Sequence, residues 1–153
     1  MRELLPRQPL VPAVTTVACP IHASLGVLGR KWALLVLRDV AFFENARFSD
    51  FLRNSPGLTP RILSMRLREL RVEGFIRRVE KDGPDREITY DLTPKGWDAV
   101  PILTAFLGFG MKYHAHKVFL DRRPRTLDEY FPGRQRRLLG PLSEYAMSSK
   151  QEG

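Results

Sequence analysis

Apolar residues recur along the first half of the chain at spacings of three and four, the repeat of an amphipathic helix. Ile21, Leu25 and Leu28 show this spacing first, in a segment that begins at Pro20, a favoured first-turn residue. Two more helical segments follow, "RKWALLVLRDVAFF" and "ARFSDFLRN". The first of these is apolar nearly all round, so we expect it at the centre of the core. Asn45 is a suitable cap for the second.

A fourth helix is predicted over residues 59–73, with Thr59 as its N-cap and Pro60 as its first helical residue. Gly74 then ends it. The period changes to two in "FIRRVE" and "REITYDL", and "KDGPD" between them has the composition of a hairpin turn. Thr93-Pro94 repeats the Thr-Pro start and opens a last long helix.

The predicted order is helix, helix, helix, turn, helix, hairpin, helix. Two short helices joined by a tight turn and followed by a two-stranded ribbon define a winged helix-turn-helix, a mainly α fold with a small β-hairpin. From Arg122 onward the chain is rich in Arg, Pro and Gly, with weak apolar patches at residues 130–131 and 138–139. This part is predicted to be a loosely ordered tail or a short docked segment.

Charge narrows the set of partners. The 153 residues include 25 Lys and Arg against 17 Asp and Glu, a formal net charge of +8. Such an excess favours nucleic acid or an acidic membrane as partner, although a basic protein that is merely soluble through its charge is the plainer alternative. A single cysteine rules out an internal disulfide framework and is typical of a cytoplasmic protein. Neither a signal peptide nor a membrane span of ~18 apolar residues is recognisable.

The fourth helix separates its charges from its apolar residues. On a wheel of ~100° per residue, the inward side is formed by Leu63, Leu67 and Leu70. The opposite side, an arc of roughly 80°, is formed by Arg61, Ser64, Arg68 and Arg71. A solvated surface helix usually mixes charges of both signs, whereas this arc contains no acid. Because Arg can bind guanine O6 and N7 together, the arc favours a recognition helix over a chance charge pattern.

Further DNA contacts are predicted around this helix, and Thr59 and Pro60 at its start are counted among them. Lys81 and Arg86 flank the tip of the wing, residues 75–92, and Arg86 is the better candidate for a narrow minor groove or the backbone beside it. Lys31 and Arg47 lie near helix starts, where free N–H groups and a cation suit phosphate. For each of these two residues alone, ordinary surface charge explains the position equally well.

Other classes of function are less well supported. The chain has no Gly-rich phosphate loop, no G-x-S-x-G and no paired acids in an apolar setting, so we expect neither an enzyme nor a cofactor. His114 and His116 do not share a helix face, so no metal site is expected. The alternative is a basic module that binds an anionic membrane or an acidic protein, which would require the apolar side of the fourth helix to be free.

Three segments together resemble the HxlR family of bacterial winged-helix transcription regulators: "CPIHASLGVLGRKWALLVLRDV", "RFSDFLRNSPGLTPRILSMRLRELRVEGFIRR" and "YDLTPKG". The resemblance runs from about Cys19 to Tyr113. It implies a homodimer joined by its N- and C-terminal helices, with two recognition helices in successive major grooves of a pseudo-palindromic double-stranded operator. We therefore divide the chain into an irregular arm (1–18), a winged helix-turn-helix domain with dimerisation helices (19–116) and a basic extension (117–153).

The resemblance also bears on an effector. Cys19 stands where family members often carry a cysteine, some of which sense oxidants or electrophiles. A thiol at a helix N-terminus near cations can become a reactive thiolate, but most free cysteines are simply small hydrophobes. A small-molecule pocket at the dimer interface is a further possibility for five aromatic residues: Trp32, Trp97, Phe106, Phe109 and Tyr113. Plain interface core is the preferred interpretation of this aromatic set.

Overall fold

The computed structural model describes residues 9, 11–43, 46–84, 86–134 and 138. Its elements are α1 (Pro20–Leu28), α2 (Ala33–Phe42), α3 (Phe48–Asn54), α4 (Pro60–Val72), β1 (Ile76–Lys81), β2 (Glu87–Leu92), α5 (Pro94–Tyr113), α6 (Ala115–Val118) and α7 (Leu127–Tyr130). The strands pair antiparallel as one hairpin. The predicted order of elements is therefore confirmed, and the two short helices α6 and α7 follow it.

The second helix is the centre of the core, as its composition predicts. Val36 and Leu37 are at most 1% exposed, and α2 contacts α1, α3, α4, α5 and β2. Leu35, which is also apolar, is instead 38% exposed. The helix begins at Ala33, because Trp32 before it has a left-handed backbone with φ of 76°.

Two Thr-Pro pairs start helices by the same local chemistry. The hydroxyl oxygen of Thr59 accepts the backbone N–H of Ile62 at 3.3 Å. That of Thr93 accepts the N–H of Gly96 at 3.1 Å, and the same hydroxyl donates between the carbonyls of Gly74 at 2.5 Å and Phe75 at 3.1 Å. The second cap therefore also joins the start of α5 to the base of the wing.

The third helix begins differently from the prediction. Its N-cap is Arg47, whose backbone N–H donates to the Asp50 carboxylate at 3.0 Å, while Asn45 lies outside the described residues. Arg47 also forms an isolated antiparallel bridge with Thr89 of β2, which is only 2% exposed. The alternation of apolar residues along β2 therefore understates how much of that strand is covered.

The C-terminal region contains a docked segment, one of the two predicted alternatives. The rings of Phe42 and Phe131 meet edge to face with centroids 5.7 Å apart. The hydroxyl of Thr104, in the middle of α5, donates to the carbonyl of Leu138 at 3.0 Å, and Leu138 is 4% exposed. The segment after α6 thus returns to pack against α2 and α5. The boundaries that we assign to the domain stay a prediction.

Candidate nucleic-acid interface

Helix α4 has the two sides that its sequence predicts. Its leucine stripe is in the core, with Leu63 and Leu70 at 0% and Leu67 at 3% exposure. The predicted reading residues Arg61, Ser64, Arg68 and Arg71 are all exposed. Within residues 11–43, 46–84 and 86–134, the guanidinium groups of these three arginines form no ion pair. We call the exposed side of α4 the basic face.

A fourth arginine of α4 does not belong to this face. The Arg66 side chain is 14% exposed and donates through Nε to the carbonyl of Lys31 at 2.7 Å and through Nη1 to Glu69 at 2.9 Å. It therefore holds the helix against the loop between α1 and α2. The count of arginines in the sequence overstates the number that can meet a ligand.

An exposed apolar residue, Met65, lies at the edge of the basic face. Met65 is 46% exposed, and at 100° per residue it lies about 40° from Arg61 on the helix wheel. It lies at the edge of the arginine arc, between Arg61 and Glu69, and far from the leucine stripe. The helical wheel places Met65 on the exposed side, but an interpretation based on charged residues alone does not consider it.

The turn before α4 fixes how the helix leaves the core. Leu58 and Ser55 are buried, and the Leu58 N–H donates to the Ser55 carbonyl at 3.0 Å. Gly57 has φ of +94°, and a Cβ added there would lie 3.5 Å from the ring of Trp32. A left-handed glycine against an aromatic ring thus precedes Thr59 and Pro60, which are exposed at the start of α4.

A buried charge group holds α3 against α2. The Asp39 side chain is 1% exposed and lies 2.7 Å from Nη2 of Arg38, and the amide of Asn54 approaches its other oxygen at 3.4 Å. Burial raises the pKa of Asp39 above its ordinary 3.8, and the neighbouring Arg38 offsets part of that rise. Arg38 also contacts the Ser55 hydroxyl at 3.3 Å, so this group reaches the turn of the helix-turn-helix.

The wing carries cations of two kinds. At its base, Arg77 pairs with Asp91 at 2.7 Å and Arg78 with Glu80 at 3.1 Å. At its tip, Lys81 and Arg86 are exposed, and neither forms an ion pair with another residue that the structure describes. The cations that remain available for a ligand are therefore those predicted from the sequence.

The two candidate phosphate contacts have different surroundings. Arg47 is ion-paired with Glu87 of β2, although its side chain is 61% exposed. Lys31 is exposed, with its ammonium 5.4 Å from the centre of the Trp32 ring. Sequence reasoning missed the Arg47–Glu87 pair because the partners lie forty positions apart.

The effector candidates are not assembled into one pocket. Cys19 is exposed and precedes α1. Trp97 packs against the core, whereas Phe106, Phe109 and Tyr113 are each more than half exposed. Trp32 and Phe106 line an apolar groove of about 650 Å³ between α1, α2 and α5. The aromatic set predicted from the sequence is thus divided between core and surface.

Metal sites and membrane-spanning helices are absent from the part of the chain that the structure describes. Across the described ranges, no three His, Cys, Asp or Glu side chains are grouped so that they could hold a metal ion. Helices in the same ranges lack the combined length and apolarity that crossing a membrane requires. The apolar side of α4 is buried in the core, so it is not free to enter a bilayer.

This arrangement, a basic helix exposed after a tight turn and followed by a hairpin, defines a winged helix-turn-helix DNA-binding protein. The HxlR-like helix-turn-helix family matches residues 27–118, and the chain belongs to that family. It is a sequence-specific DNA-binding transcriptional regulator and not an enzyme, as the sequence predicts.

Known proteins agree with this assignment. The chain is 37% identical over 100 residues to an uncharacterized HTH-type transcriptional regulator of Methanothermobacter thermautotrophicus, covering 65% of this chain and 75% of the relative. A solved MarR-family regulator from Porphyromonas gingivalis W83 is similar with a TM-score of 0.59 at 25% identity, over 67% of this chain and 99% of the other. The redox regulator HypR in its oxidized form gives 0.57 at 30% identity, over 60% and 94%.

Proposed function

We propose that α4 enters the major groove of an operator and reads bases through Arg61, Ser64 and Arg68, while Arg71 contacts the backbone. One observation carries this proposal: an acid-free exposed face, whose guanidinium groups have no ion-pair partner among the residues that the structure describes, lies opposite a buried leucine stripe. Arg61 and Arg68 are two turns apart, about 10 Å along the axis, so they reach different base pairs. Ser64 between them is short enough to let the helix approach closely.

Met65 is proposed to supply an apolar contact at the edge of the same face. A thioether that is 46% exposed beside Arg61 is suited to the methyl group of thymine, which only the major groove presents. The preferred operator is therefore expected to combine guanine opposite the arginines with at least one thymine beside Met65.

The wing adds contacts at the flank. Lys81 and Arg86 at the tip are proposed to approach the minor groove or the backbone next to it, and Lys31 is proposed to contact phosphate. Arg47 is also proposed to contact phosphate, and its ion pair with Glu87 would then be replaced by one with the DNA backbone. A phosphate contact of this kind strengthens binding to every sequence alike.

We further propose a homodimer formed by α1 and α5. Ile21 is 72% exposed, Leu25 54% and Phe106 62%, and all three border the apolar groove. Such a continuous apolar surface on a described helix pair is typical of an interface. A two-fold dimer would place two recognition helices about 34–36 Å apart, so that the operator would be pseudo-palindromic. We place the protein in the cytoplasm, where its DNA partner lies.

The test of the reading face starts from a duplex that the protein itself selects from a random pool. Arg68→Ala and Arg61→Ala should each cost ~1–3 kcal/mol in binding that duplex and relax the base preference at one position. Arg125→Ala is the matched control, because it removes the same charge from a C-terminal ion pair with Asp121. Unchanged base preference in Arg68→Ala would show that α4 does not read the operator as proposed.

Arg47 needs a different comparison, because it also pairs within the protein. Arg47→Ala should weaken binding to selected and scrambled duplexes by similar factors and reduce the salt dependence by about one phosphate contact. Glu87→Gln removes the same internal ion pair and leaves the arginine in place. If both variants lose affinity alike, the ion pair matters and the phosphate contact does not exist.

Cys19 is proposed as an oxidant- or electrophile-sensing thiol, with a small molecule of that class as effector. Its exposure ahead of α1 supports access, and a structural relative is named a redox regulator. Treatment with diamide should change affinity for the selected duplex in the native protein and not in Cys19→Ser. An unmodified thiol with unchanged affinity would end this proposal.

A further inference from the structure

One carboxylate on α4 receives two arginines from different directions. Glu69 accepts Arg66 at 2.9 Å through Oε2 and Arg30 at 2.5 Å through Oε1. Arg66 lies one turn earlier on the same helix, whereas Arg30 belongs to the loop between α1 and α2, 39 positions away. We call these three side chains the Glu69 clamp.

The two arginines of the clamp also donate to backbone carbonyls of α1 and of the loop that follows it. Arg66 donates to the carbonyl of Lys31 at 2.7 Å. Arg30 donates through Nε to the carbonyl of Gly26, in the last turn of α1, at 3.3 Å. A single guanidinium therefore joins the end of α1 to the recognition helix, and a second joins that helix to the loop that follows α1.

The position of the clamp on α4 separates it from the basic face. Glu69 and Arg66 have side chains 22% and 14% exposed, on the flank between the leucine stripe and the reading arginines. None of the three clamp residues needs to touch DNA for the clamp to act. What the clamp fixes is the rotation and tilt of α4 relative to α1.

We propose that Glu69 is a positioning residue for DNA recognition, acting through Arg30 and Arg66 to set the recognition helix relative to the dimer helix α1. The inference rests on the proposed reading face and dimer. In a two-fold dimer, α1 of each subunit is fixed by the interface, so the angle between α1 and α4 determines the separation of the two recognition helices. Half-site spacing on DNA is a direct consequence of that separation.

The variants are chosen to open the clamp without disturbing the core. Glu69→Gln keeps the length of the side chain and removes the charge that attracts both arginines. Arg30→Met removes the link to α1 from a side chain that is 52% exposed. Arg125→Met is the control, since it breaks an ion pair of the C-terminal region and changes net charge by the same amount as Arg30→Met.

Three duplexes are compared for each protein: the one selected by the native chain, the same duplex with one base pair inserted at its centre, and a scrambled duplex. The native protein should prefer the selected duplex strongly over the inserted one. Glu69→Gln and Arg30→Met should reduce that preference about tenfold, while affinity for the scrambled duplex changes at most about twofold. The double variant should lose less than the product of the single losses, because both changes break one contact.

The outcomes distinguish a failure of the positioning role from a failure of the proposed reading face or dimer. If the native protein selects no duplex, the proposed reading face fails. If it selects one but tolerates the insertion, the two-fold arrangement fails, and the positioning role then requires that Glu69→Gln and Arg30→Met still lower the preference for selected over scrambled DNA. Variants with native thermal stability and an unchanged spacing preference overturn the positioning role. Loss of folding in Arg30→Met overturns it too, because the clamp would then be a purely structural contact.

Discussion

The contact between α5 and the base of the wing can be tested by replacing one glycine, Gly96, with alanine. Gly96 is buried in the first turn of α5, and a Cβ added there would lie 2.1 Å from the carbonyl oxygen of Phe75 and 3.0 Å from a methyl of Leu92. The Phe75 carbonyl cannot withdraw without loss, because it accepts the N–H of Thr93 at 3.1 Å and shares the Thr93 hydroxyl, also at 3.1 Å, with the carbonyl of Gly74.

Gly96→Ala should therefore destabilise the protein, although alanine is normally the better helix residue by about 1 kcal/mol. Overpacking costs ~1–3 kcal/mol, and each of the two strained hydrogen bonds contributes roughly 1 kcal/mol. The expected net loss is about 2–4 kcal/mol in the free energy of unfolding, a fall in Tm of roughly 10 °C.

Urea unfolding at a fixed protein concentration measures this loss, with Gly108→Ala as the matched control. Gly108 lies in the same helix, and an added Cβ there meets nothing within 4 Å among the described residues. The control should equal or exceed native stability by up to about 1 kcal/mol. If Gly96→Ala is as stable as Gly108→Ala, α5 does not lie as close to the base of the wing as the structure shows.

Three further predictions concern other parts of the molecule. Leu138→Ala should cost ~2–4 kcal/mol in urea unfolding, because a buried side chain leaves a cavity; no change would mean that the segment after α7 does not dock in solution. The pKa of Asp39 is raised in the folded protein, so its protonated form adds stability that is fully present below pH 3.8 and is lost as pH rises through the folded pKa. As pH rises from 3.8 through that folded pKa, the native protein should therefore lose stability relative to Asp39→Asn. A flat difference across the acid range would refute this. Arg86→Ala should weaken duplex binding more than Lys81→Ala in the same gel-shift assay, and the reverse order would reassign the wing contact.

The bounds of α4 follow from the sequence because three local features coincide there. A Thr-Pro pair supplies the cap and the first turn, leucines at the helical spacing supply the buried stripe, and Gly74 supplies the left-handed end with φ of +80°. Each feature acts within a few residues, so neither the rest of the chain nor the tertiary fold is needed to interpret it.

Other features depend on residues far apart in sequence. Nothing local shows that Arg47 pairs with Glu87, or that Trp32 takes a positive φ and lies beside Gly57. The docking of Leu138 on Thr104 likewise joins positions 34 apart. In each case the local sequence is compatible with several conformations, and tertiary packing selects one of them.

Helix α4 shows why charge alone cannot assign a binding face. Arg66 and Arg68 are two positions apart and chemically identical, yet on the wheel Arg66 lies about 40° from Leu70 while Arg68 lies about 160° from it. A wheel distinguishes an inner from an outer side, but α4 has three sides: one in the core, one against the loop after α1 and one open. Glu69 lies on the second, so the acid that would neutralise the reading arginines is instead held by Arg30 and Arg66. The arginine arc on the open side is therefore free of acid, and the fold provides partners for Glu69 elsewhere.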